Sequence, residues 1–241
     1  GSTGKALMDI ILVPGLWLHG TSWDAVTPTL EKAGHRVRAL TLPGMESKDA
    51  DRSGVTLADQ VDAVVAAIDE ADGPVLLVGH SAGSGIAHAA VDARPDRVAR
   101  AVYVGGFPSA DGEALLEGLP AENGEVAMPN WADVGEEANV VDFDEESLAR
   151  FYADAIPAPE KVLTDKVSLS DERRYDVPAV AVCPEYTADD LREWVKEGHV
   201  SELAAIHNVE YVDLPGGHWP QLTQPDKLAQ VILDDAGRAG A

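Results

Sequence analysis

The feature that most constrains this chain is a glycine–any residue–serine–any residue–glycine motif at residues 79–83. It follows a short, continuous apolar run at 74–78, which is typical of a parallel strand buried on both faces. It precedes an alanine-rich stretch at 82–93 with apolar side chains at helical spacing. Between a strand and a helix, this motif predicts a nucleophile elbow, a turn so sharp that only small residues fit beside the serine. The Oγ of Ser81 would then lie clear of the backbone at the carboxyl end of the strand.

Apolar segments of two kinds alternate along most of the chain. Strand-like runs occupy residues 7–13, 35–42, 74–78, 98–104, 177–183 and 209–214. Helix-like patterns occupy residues 23–33, 56–71, 82–93, 189–196 and 224–235, with Thr56 as the expected N-cap of the second. This alternation predicts an α/β fold, a mostly parallel sheet with helices on both faces.

Residues 107–176 interrupt the alternation. They contain no strong strand, but they have short helical pieces and many proline, glycine and acidic residues. We predict a helical cap here, inserted into a core formed by residues 5–106 and 177–241. The inserted stretch has 18 Asp or Glu against 5 Lys or Arg. This acidity is typical of a solvated surface, and over an active site it would also disfavour highly anionic substrates.

The overall charge narrows the range of partners. The chain has a formal net charge of −24, from 18 basic and 42 acidic residues. Such a surface repels nucleic acid and anionic membranes, so neither is expected as a partner. The expected partner is a small-molecule substrate, neutral and partly apolar. No apolar stretch approaches the length of a membrane span and no charged, apolar leader is evident. With one cysteine, Cys183, this predicts a cytoplasmic protein. The oligomeric state does not follow from the sequence.

A serine hydroxyl needs a base within hydrogen-bond reach before it acts as a nucleophile. In chain order, an elbow serine is followed by an acid and then by a histidine. Among seven histidines, His218 lies in the expected place, in the glycine-containing loop 215–220 after the last predicted strand. We predict it to be the general base. His80 is expected to pack under the turn. The histidines expected to be structural are His35, His88, His199 and His207.

An oxyanion hole needs two backbone N–H groups aimed at one point. The residue after the nucleophile, Ala82, is expected to supply one of them. The loop after the first strand, residues 14–17, is expected to supply the other, with the Leu16 amide as the candidate because Pro14 has no N–H.

Three segments together resemble the α/β-hydrolase superfamily: residues 13–20, 79–83 and 217–222. More narrowly, they resemble its small esterase and hydroxynitrile-lyase branch, which includes plant methyl-ester esterases and actinobacterial hydrolases. The resemblance implies a Ser-His-acid triad, a helical cap, and no cofactor or metal. It also implies a small apolar pocket, in which we expect Trp17 to lie.

The chain departs from that family at the triad acid. Members usually carry an aspartate a few residues beyond the strand that here ends near residue 183, and the matching position is Tyr186. Its neighbour Glu185 is the nearest carboxylate and is our candidate. Asp189 and Asp190 follow in the same loop, and Asp111 is the alternative for an acid after the preceding strand.

Three functions remain open at this point. The first is hydrolysis of a small carboxylic ester or lactone through an acyl-enzyme. The second is C–C lyase or cyclase chemistry on the same scaffold. Cyanohydrin cleavage is disfavoured because Trp219 and Gly15 replace the lysine and threonine of related lyases. The third is a non-catalytic ligand-binding protein that keeps the fold.

Overall fold

The apolar runs of the sequence form the strands of a central sheet in the computed structural model, which describes residues 7–239. The eight strands are β1 (Asp9–Val13), β2 (Arg36–Ala39), β3 (Val75–His80), β4 (Val98–Val104), β5 (Glu125–Val126), β6 (Ala158–Pro159), β7 (Ala179–Cys183) and β8 (Val209–Asp213). Six of them form one sheet in the order β2-β1-β3-β4-β7-β8, and every neighbouring pair in it is parallel. The predicted α/β fold is confirmed.

The order of the strands determines where a site can lie. From β1 the chain moves outward to the edge strand β2 and then returns to pair β3 with the other side of β1. In open parallel sheets, ligands bind beyond the carboxyl ends of the strands where the direction of winding reverses. The loop after β1 and the motif after β3 lie side by side at that point. All six residues of β3 are buried, which explains the continuous apolar run at its residues 75–78.

Helices cover both faces of the sheet. They are α1 (Thr27–Lys32), α2 (Leu57–Glu70), α3 (Gly83–Ala93), α4 (Glu145–Asp154), α5 (Glu160–Thr164), α6 (Ala188–Lys196), α7 (Ser201–Ala205), α8 (Pro220–Thr223) and α9 (Pro225–Ala239). Successive strand residues point to opposite faces. Leu77 therefore lies in the core beneath α2 and α3, whereas Val78 lies in the core beneath α1 and α9. No helix in residues 7–239 is long and apolar enough to cross a membrane.

Some predicted boundaries are confirmed and others are wrong. Thr56 caps α2 as predicted, in a reciprocal capping box with Asp59. The predicted helix 23–33 begins only at Thr27, because Pro28 in its first turn suits a helix start and not an interior. The predicted strand 35–42 forms only Arg36–Ala39. Of the predicted core, residues 5, 6, 240 and 241 lie outside the described residues.

Residues 107–176, here called the connecting segment, join β4 to β7. The segment holds α4, α5 and two 3₁₀ turns, Glu137–Val140 and Glu172–Asp176. It also contains the antiparallel β5–β6 ladder, which the sequence pattern did not predict. Its division from the rest of the chain as a separate cap stays a prediction.

A buried ionic network attaches the end of the connecting segment to helices α3 and α7. Arg174 donates to Asp92 of α3 at 3.0 Å and to Glu202 of α7 at 2.5 Å. Glu202 also accepts a hydrogen bond from Tyr175 and contacts His88 of α3. Despite its burial, Glu202 has a pKa lowered to about 2, because hydrogen bonds from His88 and Arg174 stabilise its carboxylate. The carboxylate is therefore ionised, and the network fastens the segment to the helix that follows the serine motif.

Candidate active site

Ser81 lies at the turn between β3 and α3 with a φ angle of 54°. This left-handed conformation is costly for a residue with a side chain. The glycines around Ser81 have no room for a side chain. A Cβ added to Gly79 would lie 2.7 Å from the carbonyl oxygen of Gly83, and one added to Gly83 would lie 2.5 Å from that of Pro14. A Cβ on Gly106 would lie 2.2 Å from the carbonyl oxygen of Ser81. The elbow geometry that the motif predicts is present.

The His218 imidazole reaches Ser81 from the loop between β8 and α8. Its Nε2 lies 2.7 Å from the Ser81 Oγ, and its Nδ1 lies 2.5 Å from Oε1 of Glu185. An ionised carboxylate can only accept a hydrogen bond, so Nδ1 carries the proton and Nε2 is left to accept from the serine hydroxyl. A general base acting on Ser81 needs this tautomer. The structure thus brings three predicted side chains into one hydrogen-bonded chain.

The other carboxylates that the sequence offers as triad acids contact groups other than His218. Asp190 completes the capping box of α6, and Asp189 pairs with Arg192 on the exposed face of that helix. Asp111 accepts a hydrogen bond from the backbone N–H of Leu169. Glu185 is the carboxylate on the imidazole, and both partners are mostly buried, with side chains 20% and 15% exposed.

His80 holds the backbone of the histidine loop, a contact that the sequence did not predict. It is fully buried, and its Nε2 lies 2.8 Å from the carbonyl oxygen of His218. Only a protonated nitrogen can make this hydrogen bond to a carbonyl, so Nε2–H is the donor. Burial is the main cause that lowers the pKa of His80 to about 3, and the nearby His218 acts in the same direction. The ring is therefore neutral at physiological pH.

The buried His80 predicts a loss of stability in acid. Its pKa is about 3 when folded and near 6.5 in an unfolded chain, so its contribution is complete above pH 6.5 and declines as the pH falls toward 3. Between pH 7 and pH 5 the loss should be about 2 kcal/mol. Urea unfolding of the wild type and of His80→Gln, which can donate without titrating, measures the difference. Parallel pH curves for the two proteins would contradict this assignment.

Two backbone amides beside the site have no internal hydrogen-bond partner in the described part of the chain. Within residues 7–239, neither the Leu16 N–H nor the Ala82 N–H makes a hydrogen bond to another residue, and both residues line the cavity beside Ser81. Ala82 is the N-cap of α3, where free amides and the helix dipole favour negative charge. Donors so placed can receive the oxyanion of a tetrahedral intermediate.

A cavity of about 720 Å³ opens above Ser81. Its walls come from the loop after β1, the histidine loop, α7 and the connecting segment. Trp17 lines it and packs edge-on against Trp131, with ring centroids 5.7 Å apart. The described lining residues include no lysine or arginine. They include four carboxylates: Glu113, Glu136, Glu185 and Glu202. The cavity is thus partly apolar and biased against anions.

Comparison with known proteins identifies the family. The model of the alpha/beta hydrolase family matches residues 10–231. A pyrethroid hydrolase from Sphingobium wenxiniae is 26% identical over 247 residues, covering 95% of this chain and 87% of that protein. Methylesterase 7 from Arabidopsis thaliana is 25% identical over 256 residues, covering 95% of this chain and 96% of that protein.

The solved structures show the same fold. An extracellular alpha/beta-hydrolase from a Paenibacillus species superposes with a TM-score of 0.77 at 23% identity, covering 96% of this chain and 99% of that one. The family match spans the β1 loop, the serine motif and the histidine loop, the segments on which the sequence resemblance depends. The chain therefore belongs to the alpha/beta hydrolase family.

Proposed function

We propose that this protein is a serine hydrolase that cleaves small carboxylic esters or lactones through an acyl-enzyme. One observation carries the proposal: Glu185, His218 and Ser81 form a continuous hydrogen-bonded chain at the floor of a cavity. Family membership supports it, as do relatives that are named as a pyrethroid hydrolase and a methylesterase.

In the acylation step, the Ser81 Oγ attacks the ester carbonyl carbon while the Nε2 of His218 takes the hydroxyl proton. The carbonyl oxygen becomes an oxyanion, which accepts hydrogen bonds from the Leu16 and Ala82 amides. Glu185 stabilises the imidazolium that has formed. When the tetrahedral intermediate collapses, the bond to the alkoxy oxygen breaks and Nε2 donates its proton to the leaving alcohol.

Deacylation repeats the same proton transfers with water as the nucleophile. His218 takes a proton from water, and the resulting hydroxide adds to the acyl carbon in the same oxyanion hole. The bond to Oγ then breaks, Nε2 returns its proton to Ser81, and the carboxylic acid is released. In a lactone, the alcohol and acid belong to one product molecule.

The cavity supports a neutral, partly apolar substrate. Trp17 and Trp131 offer aromatic surface, and carboxylates such as Glu113 and Glu136 would repel an anionic acyl group. In the core of the site, Trp219 packs against His218 and Phe151 in an aromatic cluster. Trp219 carries no charge at the position where related lyases have a lysine beside the histidine, so the lyase alternative is not favoured.

A covalent probe tests the proposal. Incubation with a fluorophosphonate should modify one serine per molecule, on the peptide that contains Ser81, and hydrolysis of p-nitrophenyl acetate should fall in proportion to labelling. A folded protein that neither reacts nor hydrolyses short activated esters would point instead to a ligand-binding role. Release of cyanide from a cyanohydrin, lost after labelling, would favour the lyase.

Three further assignments belong to the proposal. The connecting segment acts as the cap over the cavity, the reaction needs no cofactor or metal, and the protein works in the cytoplasm on a small molecule without a nucleic-acid partner. The acidic surface supports the last point, because a net charge of −24 repels phosphate backbones.

A further inference from the structure

The loop that carries His218 is held from outside by the connecting segment. The backbone N–H of His218 donates to the carbonyl oxygen of Asn139 at 2.8 Å. One residue earlier, the N–H of Gly217 donates to Oδ2 of Asp142 at 2.9 Å. The same Oδ2 accepts a hydrogen bond from the Thr223 hydroxyl at 2.8 Å, at the end of α8. One carboxylate oxygen therefore joins both sides of the turn that presents the imidazole.

The fit around these hydrogen bonds is close. A Cβ on Gly217 would lie 2.4 Å from Oδ1 of Asp142 and 2.5 Å from the carbonyl oxygen of Asn139. The segment around Asp142 is also fixed, because Val140, two residues before it, and Phe143, directly after it, pack against the apolar cluster that contains Trp219. The loop backbone thus has little freedom to move away from Asp142.

We propose that Asp142 is a positioning residue that keeps the His218 imidazole between Ser81 and Glu185. His80 holds the carbonyl side of His218, whereas Asn139 and Asp142 hold the amide side and the preceding residue. Hydrogen bonds to a carboxylate are stronger than those between neutral groups. A displacement of about 1 Å in a reacting group can cost on the order of 100-fold in rate. The inference rests on the proposed function, since it assigns Asp142 a role in that same reaction.

Two substitutions separate the hydrogen bonds from the charge. Asp142→Ala removes both hydrogen bonds and should lower kcat about 10-fold per active serine, with KM changed less than about threefold. Asp142→Asn keeps an acceptor oxygen for Gly217 and Thr223, so it should restore kcat to within about threefold of wild type. Glu145→Ala is the matched control, because it removes an equal charge from an exposed site on the same segment. It should leave kcat unchanged.

Active serines are counted with the fluorophosphonate, so partly unfolded protein does not lower kcat artificially. An Asp142→Ala protein with wild-type kcat per labelled serine, or an Asp142→Asn protein as slow as Asp142→Ala, would overturn the proposal. A second readout does not depend on turnover. The downfield proton resonance of His218 Nδ1–H, identified by its loss in His218→Gln, should shift or broaden in Asp142→Ala. An unchanged resonance would also overturn the proposal, whereas an inert wild type would overturn the proposed function alone.

Discussion

Replacing Ser81 with alanine is expected to lower the turnover of short activated esters by at least about 10⁴-fold, since loss of the nucleophile removes the covalent route. Binding should survive, because the cavity walls and both candidate oxyanion amides are unchanged. Alanine must adopt the same left-handed backbone at this position as serine does, so the free energy of unfolding should change by less than about 1 kcal/mol. Steady-state kinetics and urea unfolding measure the two effects.

A nearby serine provides the control. Ser84 lies one turn along, is fully buried, and donates its hydroxyl to the carbonyl oxygen of Gly79 at 3.2 Å. Ser84→Ala should therefore react with a fluorophosphonate as the wild type does, while Ser81→Ala should not react at all. Retention of wild-type turnover by Ser81→Ala would exclude the serine mechanism.

The second large effect is expected at Glu185. Glu185→Gln replaces the acceptor on His218 Nδ1 with an amide that cannot stabilise an imidazolium and can favour the wrong tautomer. A comparable change in a Ser-His-Asp triad lowers kcat by about 10⁴-fold, and we expect a loss of about 10³- to 10⁴-fold here. KM should change little, because Glu185 is bonded to His218 and takes part in the reaction through the imidazole. Initial rates over a range of ester concentrations separate the two parameters.

The other carboxylates supply matched controls for this substitution. Asp111→Asn, Asp189→Asn and Asp190→Asn each remove one carboxylate charge from a residue that does not contact His218. We expect turnover within about threefold of wild type for each, since none of the three contacts the imidazole. Asparagine can also still accept the backbone hydrogen bonds that Asp111 and Asp190 receive. If one of these variants lost activity and Glu185→Gln kept it, the assignment of the acid would be wrong.

Much of the architecture was predictable because its signals are local. A buried parallel strand is a continuous apolar run, and a sharp strand-to-helix turn requires glycine at fixed offsets, so β3 and the Ser81 turn could be read directly. The alternation of strands and helices predicts the parallel sheet. The start of α1 could not be predicted correctly. Residues 23–26 have an apolar pattern that fits a helix, but such a pattern also fits the turn that they form.

The candidate site was less predictable because its parts meet only in three dimensions. Glu185 was one of several carboxylates at similar positions, and only the fold shows which of them reaches His218. The only sequence signal for the contact between His80 and the histidine loop is weak: His80 is adjacent to Ser81. Asp142 had none, since 75 residues separate it from its partner Gly217 and an acidic surface residue is ordinary in this chain.

Two attachments of the connecting segment end on parts of the molecule that carry reacting groups. Arg174 joins it to α3, which begins directly behind Ser81, and Asp142 joins it to the turn before His218. A substrate too bulky for the cavity would have to push the connecting segment outward. That movement would pull the side chains of Ser81 and His218 apart. Size discrimination in this enzyme is thus expected to appear as slow conversion of oversized esters, even those that are bound tightly.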